Sequence, residues 1–260
     1  GRAAESGDQG RVVGWTMRMK YMVWPIMAAL SASAAPVWAE SQDQLLPELD
    51  AYIPFSDTLR GHLYSQGTVV ESTSGVKDPV PNGLTQATYG AYLDVTLTPR
   101  LRKRLETGDW QRDRYLWSRI GYEYSQSYNG SKENKSYWQN AFIWELTTHS
   151  RPLAGGLELE GRARLDLRDK NGENSSLYRL RLTIERRFEA GGHSTTPYLR
   201  AEDLYSTKYD QWNQQRYQAG AELELNHRWR ISPYFEWRHD SRAQPETVRA
   251  FGLEVVYFSP

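Results

Sequence analysis

The chain contains no cysteine. If exported, it therefore cannot rely on disulfides, nor can it be a lipoprotein held through an acylated cysteine. It has no excess of either charge: Lys and Arg number 32, Asp and Glu 32, and the net charge is zero. There is thus no bulk electrostatic case for nucleic acid as a partner. Past the amino-terminal region no uninterrupted apolar run is long enough to cross a bilayer as a helix, and mean hydropathy is low at −0.73. That excludes a helical membrane protein. It does not exclude a β-barrel, in which only every second residue meets lipid.

What is present is alternation. In residues 157–168 every odd position is apolar or small (Leu157, Leu159, Gly161, Ala163, Leu165, Leu167) and every even one is charged (Glu158, Glu160, Arg162, Arg164, Asp166, Arg168). Successive side chains of a strand point to opposite faces, so this strand has one oily and one fully ionic face. A soluble sheet usually turns a mixed polar face to water. A transmembrane barrel instead turns its apolar face to lipid and its charged face inward.

The amino-terminal residues divide into two parts. Residues 1–16 resemble neither a core nor a targeting signal and are set aside as an upstream extension, with Met17 or Met19 as the start. Residues 17–39 carry a basic start (Met-Arg-Met-Lys), an apolar run and the small-residue site Val37-Trp38-Ala39. These are the parts of a secretory signal peptide, cut after Ala39. The competing reading, a transmembrane anchor, is opposed by the shortness of the run and its interruption at Pro25 and Pro36.

From residue 40 to 260 the chain reads as one domain of successive strands. Candidates are 48–55, 59–70, 89–97, 116–124, 138–149, 157–168, 178–187, 197–205, 217–225, 231–238 and 251–257. A polar loop follows Val70, a basic hairpin runs from Arg100 to Arg114, and turns are expected at Asn129-Gly130 and at Asp169-Lys-Asn-Gly172. Residues 128–134 and 210–213 are expected to be loops, with Trp212 as an exposed aromatic. About eleven segments of roughly ten residues suit an antiparallel transmembrane β-barrel of about 10–12 strands. A bacterial barrel with both ends on one side needs an even number, so twelve is preferred, and 48–55 is suspect as a full crossing. Seventeen tyrosines and ten tryptophans suit aromatic girdles. A soluble periplasmic β-sandwich is the alternative fold.

The chain resembles a proteobacterial outer-membrane barrel family known only as a domain of unknown function. The residues that carry the resemblance are 163–171 (ARLDLRDKN), 197–205 (PYLRAEDLY), 212–220 (WNQQRYQAG) and 252–258 (GLEVVYF). It extends over the whole mature chain, most clearly from Gly121 on. It implies fold and location, and no activity or site residues. A more distant resemblance is to small porins for acidic oligosaccharides, which share short alternating strands and arginine-rich interiors. The closing segment also resembles the carboxy-terminal signal read by the barrel-insertion machinery, although Phe258-Ser259-Pro260 follows its terminal aromatic.

Alternation assigns an interior. Arg119, Arg162, Arg164, Arg168, Arg179, Arg181, Arg187, Arg200, Arg216, Arg230 and Arg238 point inward, as do Glu123, Glu158, Glu160, Asp166, Glu185, Glu202, Glu222, Glu224, Glu236 and Asp240. Arginine suits bidentate pairing with carboxylates or anionic sugars. The expected solute-contacting set is Arg162, Arg164, Arg168, Arg179, Arg181, Arg187, Arg200, Glu158, Glu160, Glu202 and Arg238. Two readings compete: a guanidinium track for an anionic solute with acids opposite, or cross-strand pairs that knit a narrow lumen shut. The near-equal numbers of each sign favour the second.

No nucleophile elbow, H-E-x-x-H or dinucleotide glycine pattern occurs. His62, His149, His193, His227 and His239 read as turn or interface residues, and His239 and Asp240 should face opposite ways. The expectation is a non-enzymatic outer-membrane barrel without cofactor or metal, exported by a cleaved signal peptide in a Gram-negative bacterium. Its expected partners are outer-membrane lipid, the insertion machinery and an anionic solute. A hydrolase is the remaining alternative.

Overall fold

The computed structural model describes residues 40–76, 82–97, 115–128, 136–150, 152–190, 193–243 and 245–259, all within the compact unit Glu40–Pro260. The strands are β1 (Ser41–Pro54), β2 (Leu59–Ser74), β3 (Gly83–Thr96), β4 (Leu116–Ser127), β5 (Trp138–His149), β6 (Leu157–Lys170), β7 (Glu173–Arg186), β8 (Phe188–Ala190), β9 (His193–Ser206), β10 (Gln211–Glu224), β11 (Trp229–Asp240) and β12 (Thr247–Phe258). Each long strand pairs antiparallel with its neighbours in sequence, and β1 pairs with β12, so the sheet closes on itself. A closed sheet has no edge left to aggregate.

Eleven strands form the wall. The three-residue β8 continues β7 in the same register against β9: Glu185 pairs with Tyr198 and, three residues on, Phe188 with Thr195. Between them Arg186 and Arg187 come opposite Pro197 and Thr196. Pro197 has no N–H to give to a ladder, and the strand breaks there.

With eleven strands the closing pair is parallel, Ser41 against Thr247 through to Tyr52 against Phe258. The parity argument from the sequence expected an even count and doubted residues 48–55. In the structure β1 is a full fourteen-residue strand. Its first half was illegible because Leu45 and Leu46 are consecutive and Pro47 follows, so period two is lost where pairing with β2 and β12 holds the backbone extended.

The top rim holds the starts of β1 and β12 and the turns at 171–172, 207–210 and 241–243. The bottom rim holds the turn at 55–58, a 3₁₀ turn at Ala154–Gly156, the turn at 225–228 and the end of β12. At 171–172 both residues have positive φ (51° and 86°), as a two-residue hairpin turn with Asn-Gly requires. Residues 210–213 are not a loop: the turn ends at Asp210 and Trp212 lies within β10. The basic stretch 100–114 and Asn129-Gly130 lie outside the described residues.

The outer face is apolar. Leu63, Leu180, Leu182, Leu199 and Phe251 are each half exposed, as lipid-facing side chains of a barrel are. Tyr178, Tyr205 and Trp212 form a chain of rings near the top (centroids 6.1 and 5.6 Å apart), and Trp229 packs on Tyr257 near the bottom (4.8 Å). Two aromatic belts therefore flank the apolar band. Inside, tyrosine rings lie over glycines of adjacent strands. A Cβ on Gly252 would sit 1.9 Å from Tyr234 Cζ, and one on Gly121 2.3 Å from Tyr92 Cδ1. Only a residue without a side chain leaves room for the ring.

Candidate functional site

Parity places every arginine and acid of the predicted interior on the inner side, and the lumen holds a cavity of about 640 Å³. Arg162, Arg164, Arg168, Arg179, Arg181, Arg200, Glu160 and Arg238 line it. Glu202 is buried beneath the arginines instead. Glu158 lies beside His149 at 3.7 Å, and Arg187 pairs with Glu224 (3.2 Å) and Glu189 (3.3 Å), away from the cavity.

The basic side is built on β6, β7, β9 and β10. Glu202 receives Arg179 (2.8 Å), Arg181 (3.1 Å), Arg162 (3.5 Å) and Arg216 (3.9 Å). Arg164 bonds Asp166 (2.5 Å) and Glu123 (2.8 Å), and Arg162 reaches Glu145 (3.3 Å). Arg200 bonds the neutral Gln218 (2.7 Å) and lies over the Tyr198 ring. Among the described residues, neither Arg168 nor Arg200 has a carboxylate at ion-pairing distance. Five guanidiniums, those of Arg162, Arg164, Arg179, Arg181 and Arg216, thus share four carboxylates, Glu123, Glu145, Asp166 and Glu202. Pairs stack Arg162 against Arg181 and Arg164 against Arg179 directly across β6 and β7. Like charges opposite one another are costly, and here the buried carboxylates between them hold the array together.

The acidic side lies opposite. In the ring of eleven, β6 is the strand farthest from the β1–β12 seam, with β5 and β7 next. Glu48 and Glu254 are register partners across the β1–β12 seam, with Asp50 next on the inner face. Glu48 accepts hydrogen bonds from Tyr234 and from Gln66 (2.8 Å). The cavity therefore runs between the guanidinium cluster of β6, β7, β9 and β10 and the carboxylates Glu48, Asp50 and Glu254 at the β1–β12 seam.

Toward the top the cavity reaches Lys208 and Tyr209 of the rim turn. The Lys208 ammonium bonds Glu173 (2.8 Å), and this contact raises its pKa above the ordinary lysine value. Toward the bottom the lumen is filled. Asp94, with no exposure at all, takes Arg60 (2.7 Å) and Arg119 (2.6 Å) on its two oxygens. Arg60 lies over Tyr52 (4.3 Å), Tyr52 stacks on Phe258 (5.4 Å), and Arg230 covers Phe258 (5.3 Å). Thr196, Ser232, Arg230 and Val256 are buried in the same layer.

Sequence reasoning missed Tyr52, Arg60, His62, Tyr92, Asp94, Glu145 and Glu254. Several were within reach: in the expected strand 89–97 the odd positions Ala91, Leu93 and Val95 are apolar, so Tyr92 and Asp94 follow as inner residues. His62 is sandwiched between Tyr52 (4.3 Å) and Tyr92 (4.9 Å), and its Nε2 hydrogen-bonds Asp50. His239 stacks on Trp237 on the outer face (6.0 Å), whereas Asp240 accepts bonds from Asn213 and Gln214 inside, so the two do not share a site. Trp212 is exposed as expected, on the outer face of β10.

No family model matches the chain, and no curated protein matches it. Among solved structures, LpxR from Salmonella typhimurium aligns with a TM-score of 0.48 at 9% identity, covering 81% of this chain and 87% of that one. The β domain of the Bordetella autotransporter BrkA aligns with a TM-score of 0.39 at 15% identity, covering 79% and 92%.

Proposed function

We propose that the barrel lies in the outer membrane of a Gram-negative bacterium and admits polar, anionic solutes along its arginine wall, by binding rather than catalysis. The observation that carries this reading is the guanidinium cluster on β6, β7, β9 and β10, in which Arg168 and Arg200 have no carboxylate at ion-pairing distance among the described residues, facing Glu48, Asp50 and Glu254 across a cavity of about 640 Å³. A transverse field of this kind orients and selects charged solutes, and planar guanidiniums favour carboxylate-bearing sugars. The apolar outer face with its two aromatic belts supports the membrane reading. A signal peptide at 17–39, as expected from the sequence, would export the chain toward that membrane. β12, with its alternating hydrophobes and Gly252, is the segment by which the insertion machinery would take up the chain.

The test is single-channel recording of the purified barrel in planar bilayers. Anion-selective steps are expected, blocked by an oligogalacturonate. Replacing Arg162, Arg164 and Arg181 by Glu is expected to reverse the preference, and unchanged selectivity would sink the reading. A second reading rests on the packed bottom layer: the lumen ends there, and the barrel binds solute from the top without conducting. In that case wild type is silent, and the double change Tyr52→Ala and Arg60→Ala, which opens the layer, yields conductance.

A further inference from the structure

Three acids and one histidine meet where β5, β6 and β7 leave the cavity for the bottom rim. Glu158 and Glu185 are direct cross-strand partners, and His149 is the partner of Glu160. Two carboxylates placed opposite on one face repel, and a cation bound by both relieves that repulsion. The spacing agrees. His149 Nε2 lies 3.4 Å from Glu185 Oε1 and 3.7 Å from Glu158 Oε2, and one ligand atom from each residue lies within 4.8 Å of the others. A good N–H···O hydrogen bond is shorter, about 2.7–3.2 Å. Around a tetrahedral ion with bonds of about 2.0–2.2 Å, neighbouring ligand atoms stand roughly 3.3–3.6 Å apart.

The second observation is His149 itself. Its side chain is 3% exposed, and its Nε2 is aimed between the two carboxylates, while Nδ1, the other ring nitrogen, makes no hydrogen bond. A buried imidazole aimed at two carboxylates from neighbouring strands is a ligand geometry rather than a surface accident. The scaffold is rigid: Ser150 Oγ accepts from the Leu159 N–H (2.9 Å), and the Ser150 N–H bonds the Leu159 carbonyl (2.7 Å), which ties β5 to β6 beside the cluster. His149, Glu160 and Glu185 line the cavity floor, so an ion has an entry path from the lumen.

We propose that His149, Glu158 and Glu185 form a divalent transition-metal site, zinc being the best fit, at the floor of the lumen. One imidazole and two carboxylates suit zinc, whereas calcium and magnesium take oxygen-only shells. With three protein ligands the fourth position faces the cavity and remains open to water or to an anionic group of a bound solute. The sequence reading assigned no metal, because the three residues lie on different strands at no recognisable spacing. The site stands independently of the solute proposal.

The test is calorimetric titration of Zn²⁺ into the chelator-treated full-length protein in detergent, with Ca²⁺ and Mg²⁺ as comparisons. One zinc per chain is expected, with calcium and magnesium bound at least tenfold more weakly. Glu185→Gln and His149→Gln are each expected to weaken zinc at least tenfold, while Glu173→Gln at the opposite rim leaves it unchanged. Absence of zinc binding by the wild type, or undiminished binding by folded His149→Gln, overturns the proposal. If a variant does not fold, X-ray absorption of the zinc-loaded wild type decides: one imidazole with oxygen neighbours supports the site, and an all-oxygen shell overturns it.

Discussion

Asp94 and Asp43 show how far one contact type can differ inside a single barrel. Asp94 is fully buried and holds two guanidiniums, Arg60 and Arg119, in the bottom layer. Neither arginine has gone in cheaply, and their desolvation is offset by this carboxylate and by the Tyr52 and Tyr92 rings. Removing its charge leaves two buried cations uncompensated. Asp94→Asn is therefore expected to destabilise the barrel by about 3–5 kcal/mol. Asp43 makes an equally well-formed pair with Arg249 (2.8 Å), but both side chains are about half exposed. Asp43→Asn is expected to cost about 0–1 kcal/mol. Urea unfolding of the two variants in detergent, followed by tryptophan fluorescence, measures the difference. Equal losses would mean that the bottom layer is hydrated and not packed.

Alternation made the strands legible because the two faces of this sheet differ so strongly. From Leu157 to Arg168 β6 alternates an apolar or small residue with a charged one, so its register and both faces could be read directly. β1 could not be read this way. Its inner residues Gln42 and Gln44 are neutral, its Leu45 and Leu46 are adjacent, and only pairing with β2 and β12 makes it a strand. The arginine side of the site was legible for the same reason as β6. The carboxylate side and the bottom layer were not, because they assemble residues from β1, β2, β3, β4 and β12 whose juxtaposition depends on closure and shear, not on spacing. The same difference between faces gives a test at the scale of the strand. Leu182 on β7 is half exposed on the outer face and stands between Gly161 and Ala201. If that face meets lipid, Leu182→Arg is expected to lower stability in phospholipid vesicles by about 2–4 kcal/mol if it lies near the midplane. If it meets water, an exposed Leu→Arg change costs little. Unfolding in dilauroyl-phosphatidylcholine vesicles, compared with the wild type, separates the two.

At the scale of the whole molecule, strand parity decides where the chain ends stand. Even barrels close with an antiparallel pair and bring both ends to one rim. Here β1 and β12 run side by side in the same direction over twelve register pairs, so the start of β1 lies at the top rim and the end of β12 at the bottom. The odd number is known from a nineteen-stranded barrel of mitochondria, so closure by a parallel pair is compatible with a membrane wall. The seam carries part of the proposed site, since Glu48 and Glu254 are partners across it, and a shift of one residue would turn one of them toward lipid. An even-stranded rearrangement would therefore dismantle the carboxylate wall as well as the seam. The consequence is measurable in cells. An epitope inserted immediately before Ser41 and another placed after Pro260 are expected to be accessible from opposite sides of the membrane. Protease or antibody should then reach only one of them on intact cells and both after permeabilisation. If both are reached together on intact cells, or both only after permeabilisation, the closing pair is antiparallel and the two walls do not face each other as described.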